Sequence, residues 1–247
     1  MTTTTPPRSA PPPLEVEDLD VSFGGLKALD GVSFTVDQGE TVALIGPNGA
    51  GKTTVFNAVC ALVRPRRGNV RIAGRPAPPT ARLQAAGVSR TLQGLGLFER
   101  MSVLENVLVP LSGLRAPARS AERAHTTLAE LDLAALADRP AGTLPYPERK
   151  RVALARALVT EPDLLLLDEP AGGLGETDIA ALAETVRAVA GRGCAVLLVE
   201  HHVDFVMDVA DRVIVLDFGK VIASGPPDRV RTDPAVEEAY LGLEAAS

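Results

Sequence analysis

Gly46-Pro47-Asn48-Gly49-Ala50-Gly51-Lys52-Thr53-Thr54 fits the pattern GxxxxGK followed by Ser or Thr, which is typical of a phosphate-binding loop. The motif follows a short apolar run at 41–45 and precedes a helical stretch at 55–63. In this setting the glycines let backbone N–H groups surround a β-phosphate at a helix N-terminus, Lys52 supplies a positive charge, and the Thr53 hydroxyl is a Mg²⁺ ligand. The alternative is a Gly-rich turn with an accidental lysine, and the complete strand–loop–helix context argues against it.

A second polar pair, Asp168-Glu169, follows the continuous apolar run at 164–167. A carboxylate at the end of a buried parallel strand points into the crevice where phosphates bind, so Asp168 is predicted to hold the Mg²⁺ shell. Glu169 is predicted to polarise an attacking water as general base. Asp-Glu-Pro is also a common strand ending, but that interpretation weakens once a phosphate loop is present.

Two adjacent histidines, His201 and His202, follow the apolar run at 195–199 and are predicted to reach the same sheet edge. A single histidine is more often structural than catalytic, yet one beside Asp168 could contact a γ-phosphate. Side-chain alternation alone does not choose between the two.

Composition excludes several classes of protein. The net charge is −6 and only 3% of residues are aromatic, so the chain lacks the basic face and stacking platforms of most nucleic-acid binders. No apolar stretch approaches the roughly 18 residues of a membrane span. Two cysteines exclude a disulfide framework and favour a reducing compartment. Residues 1–13 are rich in Thr and Pro, which predicts a disordered lead-in.

Apolar patterning divides the rest of the chain. Residues 164–167 and 195–199 are continuous apolar strands, which indicates burial on both faces and hence a parallel sheet under helices. The helical pattern at 176–190 between them completes a crossover unit. Residues 93–160 are predicted to be a helical insertion between core segments 14–92 and 161–247. The second core segment is predicted to end in a hairpin and a short helix at 235–241.

These motifs, in this order, resemble the nucleotide-binding subunit of an ABC transporter over residues 14–243. The phosphate loop is similar to the Walker A motif of that family, and 164–169 to its Walker B motif with the catalytic glutamate. His201 resembles the switch histidine. Gln93 resembles the Q-loop glutamine, which senses Mg²⁺ and the membrane partner, and Phe23 resembles the aromatic residue that stacks on adenine.

The resemblance implies an α/β fold for residues 14–247: a P-loop NTPase (RecA-like) core with an antiparallel β subdomain and a helical subdomain. It implies an ATPase that uses ATP and Mg²⁺, forms a head-to-tail dimer, and acts through separate membrane permease subunits. Such a subunit would be cytoplasmic and peripheral on the inner face of the cell membrane, and nucleic acid is not an expected partner. Stretches such as SRTLQGLGLFERMSVLENV and VEHHVDFVMDVADRVIVLDFGKVIASG are similar to ATPases of branched-chain amino-acid importers.

Two family motifs depart from the pattern. Where the family has LSGGQ, or LAYGQ in this subfamily, the chain has Leu144-Pro145-Tyr146-Pro147-Glu148, and proline offers neither a hydroxyl nor an N–H. The D-loop, 172–175, ends in Gly175, which lacks a side chain that could act across the dimer. Both motifs act on the partner's ATP, so a heterodimer with a second ATPase subunit is favoured over a homodimer. A catalytically impaired regulatory subunit and tolerated sequence drift are the alternatives.

Overall fold

Consecutive apolar residues, rather than alternating ones, form the central strands of the fold. The computed structural model describes residues 10–92, 94–112 and 117–244. The strands in these ranges are β1 (Leu14–Phe23), β2 (Leu26–Val36), β3 (Thr41–Ile45), β4 (Arg67–Ile72), β5 (Arg75–Pro76), β6 (Val88–Arg90), β7 (Leu164–Asp168), β8 (Ala195–Val199), β9 (Arg212–Asp217) and β10 (Lys220–Gly225). The helices in the same ranges are α1 (Lys52–Val59), α2 (Val103–Leu108), α3 (Pro117–Glu130), α4 (Tyr146–Leu158), α5 (Glu176–Gly191), α6 (Val203–Val209), α7 (Pro227–Arg231) and α8 (Pro234–Glu244).

The central sheet has the strand order β10-β9-β3-β8-β7-β6, in which every pair except β10/β9 is parallel. Both faces are buried, as the apolar runs predict. On β3, Ala43 and Ile45 join a core shared with the helices α2 to α7, while Val42 and Leu44 join a second core on the opposite face with α1 and β1. The carboxyl ends of β3, β7 and β8 therefore meet at one edge.

The second sheet, of order β2-β1-β4-β5, is antiparallel. Apolar side chains alternate along β2, where Val32, Phe34 and Val36 are buried against the second core. This sheet is the predicted antiparallel subdomain.

The segment between the two halves of the core is helical, as predicted, and contains α2, α3 and α4. A capping box begins α2: the Ser102 hydroxyl accepts from Glu105 N–H, and the Glu105 carboxylate accepts from Ser102 N–H. The prolines lie at helix starts, since Pro117 begins α3 and Pro147 is in the first turn of α4, where no intrahelical N–H partner is lost.

One local prediction differs from the structure, and another, the disordered lead-in at 1–13, falls mostly on residues 1–9, which lie outside the described residues. The helix after the phosphate loop ends at Val59 instead of residue 63, because Ala61 takes a left-handed conformation (φ +54°) and the N–H of Leu62 returns to the carbonyl of Asn57. Of the Thr/Pro-rich lead-in, residues 10–13 are described: they have no regular structure, but the Pro13 carbonyl accepts a hydrogen bond from Ala73 N–H. None of the helices in the described part of the chain combines the length and hydrophobicity of a membrane span.

Candidate nucleotide site

The phosphate loop connects β3 to α1, and its glycines are required by shape. Gly46 has φ +146°, and a Cβ there would lie 2.1 Å from the carbonyl oxygen of Leu216 on β9. Gly51 has φ +107°, and a Cβ there would lie 2.7 Å from the carbonyl oxygen of Ala28. Residues other than glycine rarely adopt these positive φ values. The two carbonyl oxygens belong to strands of the sheets, so they cannot move aside for a Cβ. Asn48 and Gly49 form the exposed crest of the loop, and Ala50 is buried beneath it.

The carboxyl-terminal part of the chain holds this loop in place. Gly219, in the β9–β10 turn, donates its N–H to the carbonyl of Ala50 (2.9 Å) and accepts from Asp30 N–H (2.8 Å). Burial raises the pKa of Tyr240 on α8, and a hydrogen bond with the backbone of Gly46 opposes that rise. Tyr240 therefore lies against the start of the loop. The loop is therefore packed on three sides by β2, the hairpin and α8.

Lys52 occupies the centre of the loop. Its Nζ donates to the carbonyls of Gly46 (2.6 Å) and Pro47 (2.8 Å), and only 7% of the residue is exposed. Burial lowers the pKa of the Lys52 amine, and the charge of Glu169 opposes that shift. Thr53 and Thr54 follow in the first turn of α1, where Thr53 is exposed.

Asp168 and Glu169 come at the carboxyl end of β7, the strand that pairs with β8. The Asp168 N–H donates to the Thr91 hydroxyl (3.2 Å). Burial raises the pKa of the Asp168 carboxyl, and the charge of Glu169 raises it further. Glu169 itself has φ +48°, a left-handed conformation that costs a residue with a side chain roughly 1–2 kcal/mol.

The structure separates the two histidines. His201 Nε2 is 3.3 Å from Glu169 Oε1. His202 instead caps α6, where its Nδ1 accepts from Phe205 N–H (3.4 Å). Of the pair, His201 is the one that lies beside the carboxylate predicted to be the general base.

The two remaining predicted site residues have different outcomes. Phe23 ends β1 at the β1–β2 hairpin, opposite Leu26, and is half exposed. The hairpin continues along β2 to Ala28, whose carbonyl packs on Gly51. Gln93 lies outside the described residues.

Sequence reasoning assigned no role to two residues that the structure places around Glu169. Glu200 is 1% exposed, and its carboxylate accepts from the N–H groups of Ala171 (2.6 Å), His201 (2.8 Å) and His202 (3.0 Å). Lys150 Nζ donates to the carbonyls of Glu169 (2.9 Å) and Pro170 (2.7 Å). The sequence does contain one signal that could have pointed to Glu200: it is a charged residue directly after a fully apolar strand.

Comparisons with known proteins decide the family. A family model described as "ABC transporter" matches residues 29–172, which is more than half of the chain. The chain belongs to the ATP-binding subunits of ABC transporters. A second family model, described as "Branched-chain amino acid ATP-binding cassette transporter", matches residues 220–246. As a member of this family the chain is an ATPase.

Relatives and solved structures agree with this membership. The chain is 39% identical to the high-affinity branched-chain amino acid transport ATP-binding protein BraF of Pseudomonas aeruginosa, over 94% of this chain and 98% of BraF. It is 38% identical to LivG of Escherichia coli K12 over the same shares, and 37% identical to the lipopolysaccharide export ATP-binding protein LptB of Acidithiobacillus ferridurans over 93% and 96%. An ATP-binding cassette of an ABC transporter in its ADP conformation superposes with a TM-score of 0.82 at 32% identity, covering 93% of this chain and 98% of that one. These likenesses confirm the predicted fold class.

The segment predicted to be the signature region begins helix α4, which we call the signature helix. Pro145 is its N-cap, and neither Pro145 nor Pro147 has an N–H. The N–H of Arg149 already donates to the Pro145 carbonyl (3.0 Å), so the donors left at this helix start are those of Tyr146 and Glu148. The D-loop lies against the same helix, since a Cβ on Gly173 would be 3.0 Å from the Tyr146 ring.

Proposed function

We propose that this subunit couples ATP hydrolysis to the import of branched-chain or related amino acids through separate membrane permease subunits. The observation that carries the proposal is the match of residues 220–246 to the branched-chain family model, together with similarity to BraF and LivG along nearly the whole chain. The likeness to LptB, an export protein by its name, makes the direction of transport the point to test. In this arrangement the subunit is cytoplasmic and peripheral on the membrane through its permease.

The residues present fit ATP with Mg²⁺. Gly49 leaves open space at the exposed crest of the loop, Gly46 and Gly51 let the loop take its positive-φ shape, and Lys52 brings a buried cation to it. The raised pKa of the Asp168 carboxyl marks a carboxylate whose charge lacks full compensation, which is what a cation site requires. Thr53, Asp168 and Gln93 would hold Mg²⁺, which neutralises phosphate charge when bound.

The chain's own side chains provide the remaining chemistry. Glu169 accepts the proton of the attacking water at a carboxylate oxygen, and His201, 3.3 Å from that carboxylate, contacts the γ-phosphate. Phe23 stacks on the adenine ring. A Glu169→Gln variant should lose hydrolysis by about 10²-fold or more while its Kd for ATP is unchanged, and unaltered turnover would remove Glu169 from this role.

Transport itself is tested by deleting the gene and measuring uptake. We expect loss of uptake of radiolabelled leucine, isoleucine and valine, restored by the wild-type chain but not by Glu169→Gln. Normal uptake of all three, with a defect in lipopolysaccharide at the cell surface, would replace the import proposal with export.

We further propose that the chain works beside a second ATPase subunit with an intact signature motif. The two prolines at the start of the signature helix and Gly175 in the D-loop support this, because each removes a group that would act on the partner's ATP. The same features support a second candidate, a regulatory subunit that binds ATP with impaired hydrolysis. Single-turnover hydrolysis in the purified complex separates them: ATP bound to this chain is cleaved in the first case and retained in the second.

A further inference from the structure

The backbone turn that carries Glu169 is held by contacts from two sides. Glu169 has a left-handed conformation, and Pro170 and Ala171 continue the turn toward the D-loop. A residue with a side chain, such as glutamate, keeps a left-handed conformation only where contacts with its surroundings hold it there. The contacts that fix residues 169–171 therefore set where the Glu169 carboxylate lies.

Glu200 makes the first set of contacts from the end of β8. One carboxylate oxygen accepts from Ala171 N–H, two residues after Glu169, and the other accepts from the N–H groups of His201 and His202. The same side chain thus joins the turn that carries Glu169 to the turn that carries His201. These are the two residues whose side chains lie 3.3 Å apart.

The chemistry of these contacts requires a carboxylate. Every partner of Glu200 is an N–H donor, so both side-chain oxygens must accept. An amide would place an NH₂ group against at least one of these donors. Because Glu200 is fully buried, no water is at hand to replace the lost contact.

Lys150 makes the second set of contacts from the signature helix. Its ammonium group donates to the carbonyls of Glu169 and Pro170 and lies 5.6 Å from the centre of the Tyr146 ring, in the signature sequence itself. The turn is therefore held on its N–H side by Glu200 and on its carbonyl side by Lys150.

We propose that Glu200 and Lys150 are positioning residues that hold the turn at 169–171, and so fix the Glu169 carboxylate relative to His201. This inference rests on the proposed role of Glu169 as general base. Neither residue contacts the reacting atoms in this assignment. Both act through the backbone of the turn, and Lys150 ties that backbone to the signature helix.

The test compares Glu200→Gln with Glu40→Gln in the full chain assembled with its transporter complex. Glu40 is a matched control, because its carboxylate also accepts three N–H bonds, two from Arg212 and one from Asp37, at the opposite end of β3. We expect Glu200→Gln to lower kcat by about 10²-fold, the scale of a displacement near 1 Å at a catalytic group, with the Kd for ATP unchanged. Glu40→Gln should lower the Tm without lowering kcat.

A second readout follows the turn directly in the isolated full chain. Amide hydrogen exchange at Ala171 should be faster in Glu200→Gln than in the wild type and unchanged in Glu40→Gln. Lys150→Met, which keeps the apolar stem, should lower kcat by about tenfold. The double variant should lose less than the product of the single losses, since both residues act on one turn.

The outcomes are separable. A wild-type kcat in Glu200→Gln and Lys150→Met, with hydrolysis lost in Glu169→Gln, overturns the positioning role and leaves the proposed function standing. Unaltered hydrolysis in Glu169→Gln overturns the general-base assignment and this inference with it. If Glu200→Gln does not fold, Lys150→Met decides by the same comparison of kcat with Kd.

Discussion

The prolines of the signature helix give the sharpest prediction, because their chemical effect is simple. Replacing Pro145 with Ser and Pro147 with Gly adds one hydroxyl and one N–H at the N-cap and one N–H in the first helical turn. In the wild type only Tyr146 and Glu148 offer free N–H groups there, since Arg149 N–H is engaged with the Pro145 carbonyl. The double variant thus restores three donors to a site that would face the partner's ATP.

The magnitude follows from the donors restored. Removing one preorganised donor from a developing oxyanion costs about 10²–10³ in rate in other enzymes. Where the isolated chain dimerises with itself, its ATPase rate should therefore rise by about 10²-fold or more. Stability should change little: serine at the N-cap contributes about 1 kcal/mol, which offsets the roughly 0.5–1 kcal/mol cost of glycine in a helix.

The assay is steady-state hydrolysis by the purified chain at saturating ATP and Mg²⁺, with the Tm measured in parallel. A matched control is Pro226→Ser with Pro227→Gly, because α7 also begins with an N-cap proline followed by a proline in its first turn. That variant should leave the rate unchanged. An ATPase rate within about twofold of wild type in the Pro145/Pro147 variant would refute the reasoning, as would brisk hydrolysis by the unaltered isolated chain.

Three further changes test the site. Asp168→Asn should raise the Tm of the nucleotide-free chain at neutral pH while abolishing hydrolysis. The pKa of Asp168 is raised in the folded state, so its ionised carboxylate destabilises the fold. The gain in stability from Asn is therefore full above the folded pKa and disappears as pH falls below the unfolded pKa. Gly51→Ala should abolish ATP binding, measured by titration, since the added Cβ would lie 2.7 Å from the Ala28 carbonyl oxygen. Gly175→Ala should bind ATP normally, since its Cβ would have no atom within 4 Å. Phe23→Ala should weaken ATP binding by about tenfold, equivalent to roughly 1.4 kcal/mol of stacking, with kcat at saturating ATP unchanged.

Local sequence was sufficient where a motif and its strand are adjacent. The run at 41–45 and the glycines after it predicted both β3 and the loop, because burial on both faces and positive φ values are properties of those few residues. The same holds for 164–168 and the crossover helix after it. The helix end at Val59 was missed because a left-handed alanine, unlike a glycine, gives no sequence signal.

Contacts between distant segments were beyond sequence reasoning. Lys150 reaches a turn 19 residues later, and Glu200 reaches Ala171, 29 residues earlier. No periodicity or spacing encodes such pairs. Side-chain alternation left the choice between His201 and His202 open, since that choice depends on α6 beginning at Val203 and recruiting His202 as its cap.

The position of β3 between β8 and β9 has a consequence for synthesis on the ribosome. The phosphate loop is translated early, yet the strands on both sides of β3, the Leu216 carbonyl beneath Gly46 and the Gly219 N–H that binds Ala50 all belong to the last quarter of the chain. Such long-range pairing forms slowly and late. A nascent chain therefore carries its phosphate-loop motif without a formed site until β8, β9 and the turn after β9 have been made, and nucleotide binding would report that these strands are in place.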